Sequence, residues 1–313
     1  MLTYLIILLD DASVSYCHYK VSKKKRLIPL ETLREGIIFA MKENLNVQFV
    51  YPDYALPAEY DSVIESIDHA KIRPEVLSEK ADVLVLTNWK DNVCSIAEGA
   101  TCVLRAKLKE LKDNFDTIKS IVTKVLRLNI ILTDVEFFKD KDIDDYRLVL
   151  IQLEDCIIEQ YLTGRNIQLN LLTDRLSLAQ MNNCNAGVNS ITLAPNGCFY
   201  LCPAFYYDDP TQSVGDLVAG LQIKNRQLLL LDYAPICRHC DAYQCKRCVW
   251  MNSKLTLDTN TPSHQQCVIA HLERNASRDL LSKLNEQKIL LNETYPIDEI
   301  DYLDPFNKYK QWK

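Results

Sequence analysis

Cysteine is distributed unevenly along this chain, and that distribution limits what the chain can fold into more than any other feature. The 313 residues include 12 cysteines, and eight of them lie between Cys184 and Cys267. The other four are scattered through the first half, at Cys17, Cys94, Cys102 and Cys156. Clustered cysteines in a large chain without an export signal bind metal more often than they form disulfides. The sequence therefore predicts a C-terminal part that folds around metal-bound thiolates.

The N-terminus predicts a buried strand and not an export signal. The apolar run at residues 5–9 has no basic segment before it and no small-residue cleavage site after it, and it is too short to cross a bilayer. We therefore expect a cytoplasmic protein with no membrane partner. The formal net charge of -6 and the pI of about 5.5 give no sign of the basic face that nucleic-acid binding needs, so no nucleic-acid partner is expected.

Residues 1–175 alternate between strand-like and helical patterns. The strand-like runs are residues 5–9, 47–51, 81–87, 128–133 and 167–172, and the helical ones are residues 30–42, 104–125 and 143–161. Such alternation predicts an α/β fold with a mostly parallel sheet, open or partly closed, whose strands are buried on both faces. Glycine is scarce here, so the glycine-rich phosphate cradle of nucleotide-binding folds is not expected.

From residue 176 the sequence becomes rich in loops. Two short apolar runs flank the turn Pro195-Asn196-Gly197 and predict a β-hairpin, and residues 268–288 predict a helix. We therefore divide the chain into three parts. They are an α/β domain at residues 1–175, a small cysteine-rich domain at residues 176–275, and a helix end with an acidic and aromatic tail at residues 276–313.

Two Cys-x-x-Cys pairs carry the strongest chemical signal. Cys237 and Cys240 form the first pair, Cys245 and Cys248 form the second, and four residues separate the two pairs. Thiolates with this spacing in a tight turn can bind one metal centre, which is why it recurs in zinc and iron–sulfur sites. Two adjacent pairs with further spaced cysteines therefore indicate metal binding.

The residues alone leave the metal open. Zinc prefers closed sets of four cysteine or histidine ligands, and three histidines could complete such a set. These are His239, His264 and His271. Cys198 is a further candidate ligand, but a strand through residues 198–202 would place it about 13 Å from Cys202 at ~3.3 Å per residue. We therefore interpret Cys198 as part of the strand and not as a ligand.

The layout Cys184-x12-Gly197-x4-Cys202, followed by the four-cysteine group and then Cys267, resembles the SPASM domain. That domain is the C-terminal module of many radical S-adenosylmethionine peptide maturases, and the resemblance covers residues 184–275. It implies two [4Fe-4S] clusters. The ligands of one would be Cys237, Cys240, Cys245 and Cys267. The ligands of the other would be Cys184, Cys202 and Cys248, with one iron left open. The family's central spacing is Cys-x2-Cys-x5-Cys-x3-Cys, and both later gaps are one residue shorter here.

Radical enzymes of this class also carry Cys-x3-Cys-x2-Cys after their first strand, and this chain lacks it. Cys17 follows the first predicted strand, but none of its three frames supplies the partner thiolates. With Cys17 as the first, second or third cysteine of the motif, the other two positions hold Val21 and Lys24, Ser13 and Lys20, or Asp10 and Val14, respectively. The Gly-Gly-Glu segment that holds the cofactor's amino group in such enzymes is missing too. We therefore predict a degenerate or partial (β/α) radical-SAM-like barrel, unable to cleave S-adenosylmethionine alone. An unrelated α/β domain is the alternative.

The four scattered cysteines are predicted to be core residues, because none of them has metal-like spacing.

The stretch that runs from residues 27–31 to residues 49–54 resembles the CXXX repeat peptide maturases, which are bacterial SPASM proteins associated with cysteine-repeat precursor peptides. The resemblance implies a precursor peptide as partner and leaves room for a partner maturation enzyme. The predicted function is an iron–sulfur protein in the maturation of a ribosomally made, cysteine-containing peptide, and whether it is itself an enzyme is open. The alternative is a zinc-stabilised, non-catalytic interaction module.

Overall fold

A computed structural model describes residues 2–91, 93, 96–245, 247–289, 291 and 293–297, so Cys94 lies outside the described residues. The chain forms two compact units. The first unit comprises Met1–Arg105 and Asn185–Leu229, and the second comprises Ala106–Cys184 and Leu230–Lys313. Each unit is built from two separate segments, whereas the domains expected from the sequence are consecutive. The expected bounds at residues 175 and 275 therefore stay predictions.

Strands and helices alternate over the first half of the chain, and this confirms the α/β fold class. The strands are β1 Tyr4–Leu8, β2 Asn46–Val50, β3 His69–Pro74, β4 Val83–Leu86, β5 Thr101–Ala106, β6 Arg127–Leu132, β7 Gln168–Leu169, β8 Ser190–Leu193, β9 Phe199–Tyr200, β10 Gly215–Asp216 and β11 Gly220–Leu221. The α-helices are α1 Leu30–Lys42, α2 Ala58–Ile64, α3 Leu108–Asp113, α4 Phe115–Val122, α5 Asp140–Leu162, α6 Pro203–Asp208, α7 Val249–Leu255 and α8 His264–Glu286.

The sheet of the first unit has the strand order β5-β4-β3-β2-β1-β8-β9. Neighbouring strands are parallel except for the antiparallel pair β8-β9. β1 has a hydrogen-bonded partner on each side, and Leu5, Ile7 and Leu8 are fully buried. A central strand covered on both faces needs apolar residues at successive positions, which explains why its sequence is continuously apolar instead of alternating.

α1 packs against this sheet through a small residue. Its buried side is formed by Leu33, Gly36, Ile37 and Ala40. A Cβ atom at Gly36 would collide with the side chain of Leu193 in β8. Glycine therefore lets the helix approach the sheet closely at this position.

The β-hairpin predicted around Pro195-Asn196-Gly197 is confirmed. β8 and β9 pair antiparallel, with Thr192 opposite Tyr200 and Leu193 opposite Phe199. Gly197 adopts a φ of +78° in the connecting turn, a conformation that suits glycine. Cys198 stands at the end of this turn and forms an isolated bridge with Asp216.

The second unit contains a pair of long helices, α5 and α8, together with the parallel pair β6-β7. Tyr146 of α5 donates a hydrogen bond of 2.7 Å to Glu273 of α8. α8 begins at His264, because the side chain of Ser263 accepts a hydrogen bond from the Gln266 amide while Gln266 caps Ser263 in return. The predicted C-terminal helix is therefore confirmed, with a start slightly before residue 268.

The prediction of one helix over residues 104–125 is wrong. The first residues of that range belong to β5, and the remainder forms α3 and α4. Asn114 ends α3 with a φ of -127° and precedes α4, so the chain changes direction between the two helices. Separately, no helix among the described residues is long and apolar enough to cross a membrane.

Candidate metal centre

Four cysteines line one cavity in the second unit. The cavity has a volume of about 200 Å³, and its walls include Cys237, Cys240, Cys245 and Cys267. These are the four residues that the SPASM resemblance assigns to one cluster. Their metal binding stays a prediction, but the fold places all four around the same space.

Tight turns and a helix start bring these cysteines together. Cys237 and Cys240 flank a single 3-10 turn, in which the Cys240 amide donates a hydrogen bond of 3.1 Å to the Cys237 carbonyl. The Cys245 amide donates one of 2.9 Å to Ala242, which closes a second turn. Cys267 lies in the first turn of α8, where its amide bonds to the Ser263 carbonyl. Turns of this kind aim nearby thiols at a common point.

The spacing of the ligand atoms differs between a zinc site and an iron–sulfur cluster. Four thiolates around one zinc, with Zn–S bonds of about 2.3 Å, lie about 3.8 Å apart by tetrahedral geometry. Among the described residues, Cys240, Asp241 and His271 form a group whose ligand atoms all lie within 4.8 Å of one another. No three of the described cavity cysteines form such a group. In an iron–sulfur cluster each thiolate binds a different iron, so wider spacing is expected.

Burial changes the acidity of the cavity thiols. Desolvation raises the pKa of Cys237 to about 11, although the nearby Arg247 guanidinium acts in the opposite direction. Desolvation also raises the pKa of Cys245 well above its usual value, and the pKa of Cys267 in the same direction. These three thiols are therefore protonated at neutral pH when no metal is bound. Metal binding must release these protons, because thiolates and not thiols are the ligands.

The sulfur atom of Cys240 has polar neighbours. Its Sγ atom lies 3.5 Å from His271 Nε2 and accepts a hydrogen bond of 3.4 Å from the Ala242 amide. His271 Nε2 also lies 4.0 Å from Asp241 Oδ1. The other oxygen of Asp241 is ion-paired with Arg274, and both of these side chains are buried.

The second predicted ligand set consists of Cys184, Cys202 and Cys248. Cys184 is exposed and ends the first segment of the second unit. Cys248 lies in the same unit and is the N-cap of α7, where its sulfur accepts a hydrogen bond of 3.5 Å from the Met251 amide. Cys202 belongs to the first unit and precedes α6. The assignment of these three residues to one cluster stays a prediction.

The remaining described cysteines fall into two environments. Cys102 is fully buried in β5 and Cys156 is 3% exposed in α5, which confirms their prediction as core residues. Cys198 is half-buried, and burial together with the Asp216 carboxylate raises its pKa. Cys17 is also half-buried and lies in the loop after β1, so its prediction as a core residue is wrong.

The loop after β1 is held by several hydrogen bonds to its backbone carbonyls. Arg105 donates from Nε to the Cys17 carbonyl at 2.6 Å and from a terminal nitrogen to the Tyr19 carbonyl at 2.7 Å. The Ser15 hydroxyl also donates to the Tyr19 carbonyl at 2.6 Å. With one thiol in this loop, the residues present do not fit the three-cysteine cluster of a radical-SAM enzyme.

Sequence reasoning missed the polar residues around the cavity, namely Asp241, Arg247 and Arg274. His271 was considered only as a zinc ligand. A signal for its position was present, because His271 follows Cys267 by four residues and therefore shares its helix face. For the buried arginines no comparable signal exists, because arginine is usually an exposed residue.

The chain is similar in fold to two solved structures of anSMEcpe. Native anSMEcpe with bound AdoMet and Cp18Cys peptide matches with a TM-score of 0.58 at 13% identity, covering 91% of this chain and 100% of that chain. A histidine-tagged anSMEcpe with bound AdoMet matches with a TM-score of 0.57 at 15% identity, covering 91% and 99%. The likeness supports the expected fold class, an α/β fold with a mostly parallel sheet that forms a partial barrel. At these identities it concerns the fold alone.

A scan against protein-family models gives no match for this chain, and a search of curated proteins gives none either.

Proposed function

We propose that this protein is an iron–sulfur protein of the SPASM type that takes part in the maturation of a ribosomally made, cysteine-containing peptide. The observation that carries the proposal is the convergence of four sequence-predicted cysteine ligands on one cavity, in a chain with the fold of anSMEcpe. Cys237, Cys245 and Cys267 have raised pKa values and are therefore poor nucleophiles, so metal ligation accounts better than thiol catalysis for the cysteines around this cavity.

The cavity cysteines would hold one [4Fe-4S] cluster, and Cys184, Cys202 and Cys248 would hold a second. Residues 176–183 contain no cysteine that could act as a fourth ligand, so the second cluster would have three cysteine ligands and one iron that can take another. Cys198, a water or a partner protein is the alternative fourth ligand. A cluster with an open iron supplies a binding position for a soft anionic ligand, and a cysteine thiolate is such a ligand. We therefore propose that the second site anchors a cysteine of the precursor peptide.

A peptide partner is consistent with the structural relative, since anSMEcpe has been solved with bound AdoMet and Cp18Cys peptide. Cleavage of S-adenosylmethionine by this chain alone is not part of the proposal, because the three-thiol motif after β1 is absent from the sequence. We propose that the protein acts in the cytoplasm, binding the precursor peptide and presenting it to a partner maturation enzyme.

A zinc-stabilised interaction module is the second candidate. It is favoured by the ligand atoms of Cys240, Asp241 and His271, which all lie within 4.8 Å of one another. The buried ion pair with Arg274 weakens this candidate, because the guanidinium competes with a metal for the Asp241 carboxylate. Zinc would also leave the protein colourless, since its d shell is filled.

The first experiment is anaerobic purification with analysis of iron, sulfide and zinc. The proposed function requires iron and sulfide, and stoichiometric zinc without iron would support the second candidate instead.

In the second experiment, a cysteine-bearing precursor peptide is titrated into the iron-loaded protein. It should perturb the spectroscopic signal of one cluster, and the Cys→Ser peptide should not. Tight binding of both peptides with no change in either cluster would contradict the open iron and make the clusters structural.

A further inference from the structure

We propose that His271 is a positioning residue that donates a hydrogen bond to the Cys240 sulfur and thereby raises the reduction potential of the cluster in the cysteine-lined cavity. The inference rests on the iron–sulfur part of the proposed function. It concerns how the cluster is tuned, and it does not depend on which peptide the protein binds.

The contact has the geometry of a hydrogen bond to sulfur. His271 Nε2 lies 3.5 Å from Cys240 Sγ, and the Ala242 amide donates to the same sulfur at 3.4 Å. The Cys240 sulfur therefore has two nitrogen neighbours, one from the backbone and one from a side chain. Hydrogen bonds to the sulfurs are among the features that set the potential of an iron–sulfur cluster.

The surroundings of Nε2 favour the protonated form of this atom. Cys240 Sγ lies 3.5 Å from it, and Asp241 Oδ1 lies 4.0 Å from it. A cluster-bound thiolate and a carboxylate can only accept hydrogen bonds, so a proton on Nε2 lets the imidazole donate to the Cys240 sulfur. The Nε2 proton is present in one neutral tautomer and in the imidazolium alike. The proposed contact therefore does not depend on the charge of His271.

A buried ion pair fixes the carboxylate that lies beside the imidazole. The Asp241 and Arg274 side chains are 4% and 3% exposed, and they are paired through the Asp241 oxygen that does not face His271. Because Arg274 holds one oxygen, the other keeps its position 4.0 Å from His271 Nε2.

The helix brings ligand and donor to one face. Cys267 and His271 are four residues apart in α8, so their side chains project in nearly the same direction. Both line the cavity. A ligand and a hydrogen-bond donor that share one rigid helix keep their separation fixed.

The expected effect follows from charge. On reduction the cluster takes one electron from a chemical reductant such as dithionite, its negative charge increases, and no bond to the protein is made or broken. A hydrogen bond to a ligand sulfur becomes stronger as that charge grows, so it stabilises the reduced form more than the oxidised form. Loss of the donor should make reduction roughly tenfold less favourable. For a one-electron couple this lowers the potential by about 59 mV.

The test is a redox titration of the cluster-loaded full chain, followed by electron paramagnetic resonance. His271→Leu removes the donor, and His271→Gln keeps an N–H group at a similar distance along the side chain. His264→Leu is the matched control, since His264 is an exposed histidine at the start of the same helix. We expect His271→Leu to lower one of the two potentials, His271→Gln to restore most of the shift, and His264→Leu to change neither.

A second measurement needs no variant. In wild-type protein labelled with 15N-histidine, pulsed electron paramagnetic resonance of the reduced cluster should detect a weak coupling to one imidazole nitrogen. A strong coupling would identify histidine as a direct iron ligand and would overturn the proposal. Absence of coupling would overturn it as well.

The remaining outcomes separate this inference from the proposed function. Wild-type potentials in an iron-loaded His271→Leu variant would refute the tuning role and leave the proposed function intact. Loss of the cluster in both His271 variants, with the fold retained, would refute the tuning role, because His271 would then be a ligand or a structural residue. Wild-type protein that takes up no iron would overturn both claims.

Discussion

The ion pair between Lys283 of α8 and Glu154 of α5 offers a sharp test of how the second unit is held together. Lys283 Nζ donates to Glu154 Oε2 at 2.6 Å. The Glu154 side chain is 3% exposed, whereas the Lys283 side chain is 38% exposed. Lys283→Met removes the ammonium group, keeps most of the apolar stem and leaves a carboxylate buried without this partner.

The magnitude follows from which partner is buried. Removing one member of a fully buried ion pair costs roughly 3–5 kcal/mol, because the remaining charge is left uncompensated. Here the ammonium is partly in water, where solvent screens the attraction, so the pair contributes less. We expect Lys283→Met to lower the free energy of unfolding of the second unit by about 2 kcal/mol at pH 8.

The same residues predict how this loss depends on pH. Burial raises the pKa of Glu154, and Lys283 partly opposes that shift, so removing Lys283 raises this pKa further. A carboxyl group with a raised pKa in the folded state binds its proton more tightly there than in the unfolded chain. It therefore favours folding at low pH, and that contribution is lost as the pH rises. The deficit of Lys283→Met should shrink between pH 8 and pH 6.

The assay is urea denaturation of the cluster-loaded protein under anaerobic conditions, followed by circular dichroism at both pH values. Lys119→Met is the matched control, because the Lys119–Glu159 pair has side chains that are 45% and 54% exposed. Exposed pairs contribute little to stability, so the control should unfold like the wild type. Equal midpoints for the two variants would refute the reasoning, as would a deficit that grows when the pH falls.

Two further predictions concern the metal sites. Cys245→Ala should leave one iron of the cavity cluster without a cysteine ligand and therefore change the electron paramagnetic resonance signal of one of the two clusters. Cys156→Ala, which changes a buried core cysteine of the same unit, should leave both signals unchanged, and wild-type signals in Cys245→Ala would exclude Cys245 as a ligand. The reconstituted protein without a partner should form no 5′-deoxyadenosine from S-adenosylmethionine and dithionite, because Cys17 lacks the two partner thiols. Chromatographic detection of that product above a no-protein control would contradict this prediction.

Local sequence patterns were sufficient for elements whose own residues determine them. The helix expected at residues 30–42 is α1, since its apolar positions recur at the helical period. The hairpin around Gly197 follows from turn chemistry that operates within a few residues. β1 could be found because a strand buried on both faces must be continuously apolar.

Elements fixed by distant contacts were not found. β3, with the sequence His-Ala-Lys-Ile-Arg-Pro, has no strand-like pattern of its own and forms because β2 and β4 pair with it on either side. β5 was partly assigned to a helix, because the leucines and lysines that follow it have a helical pattern. Tertiary pairing outweighs local propensity in both cases.

The candidate site, like the fold, could be predicted only in part from the sequence. Cysteine spacing identified the four cavity residues, because thiols that share a centre must lie close together and turns of fixed length bring them there. The spacing does not reveal the buried polar residues that lie beside the ligands. Asp241 and Arg274 are 33 residues apart in the sequence, and only the fold pairs them.

The loop after β1 differs from a three-cysteine cluster site in its packing as well as in its residue types. In the frame that makes Cys17 the second ligand, the first position is Ser13 and the third is Lys20. Ser13 is fully buried, and its hydroxyl donates to the Val50 carbonyl at 2.8 Å, whereas Lys20 is exposed. Side chains with such different surroundings do not converge on one centre, and Arg105 fixes the carbonyl groups between them. Thiols at positions 13 and 20 would therefore not restore a cluster unless this loop also changed its conformation.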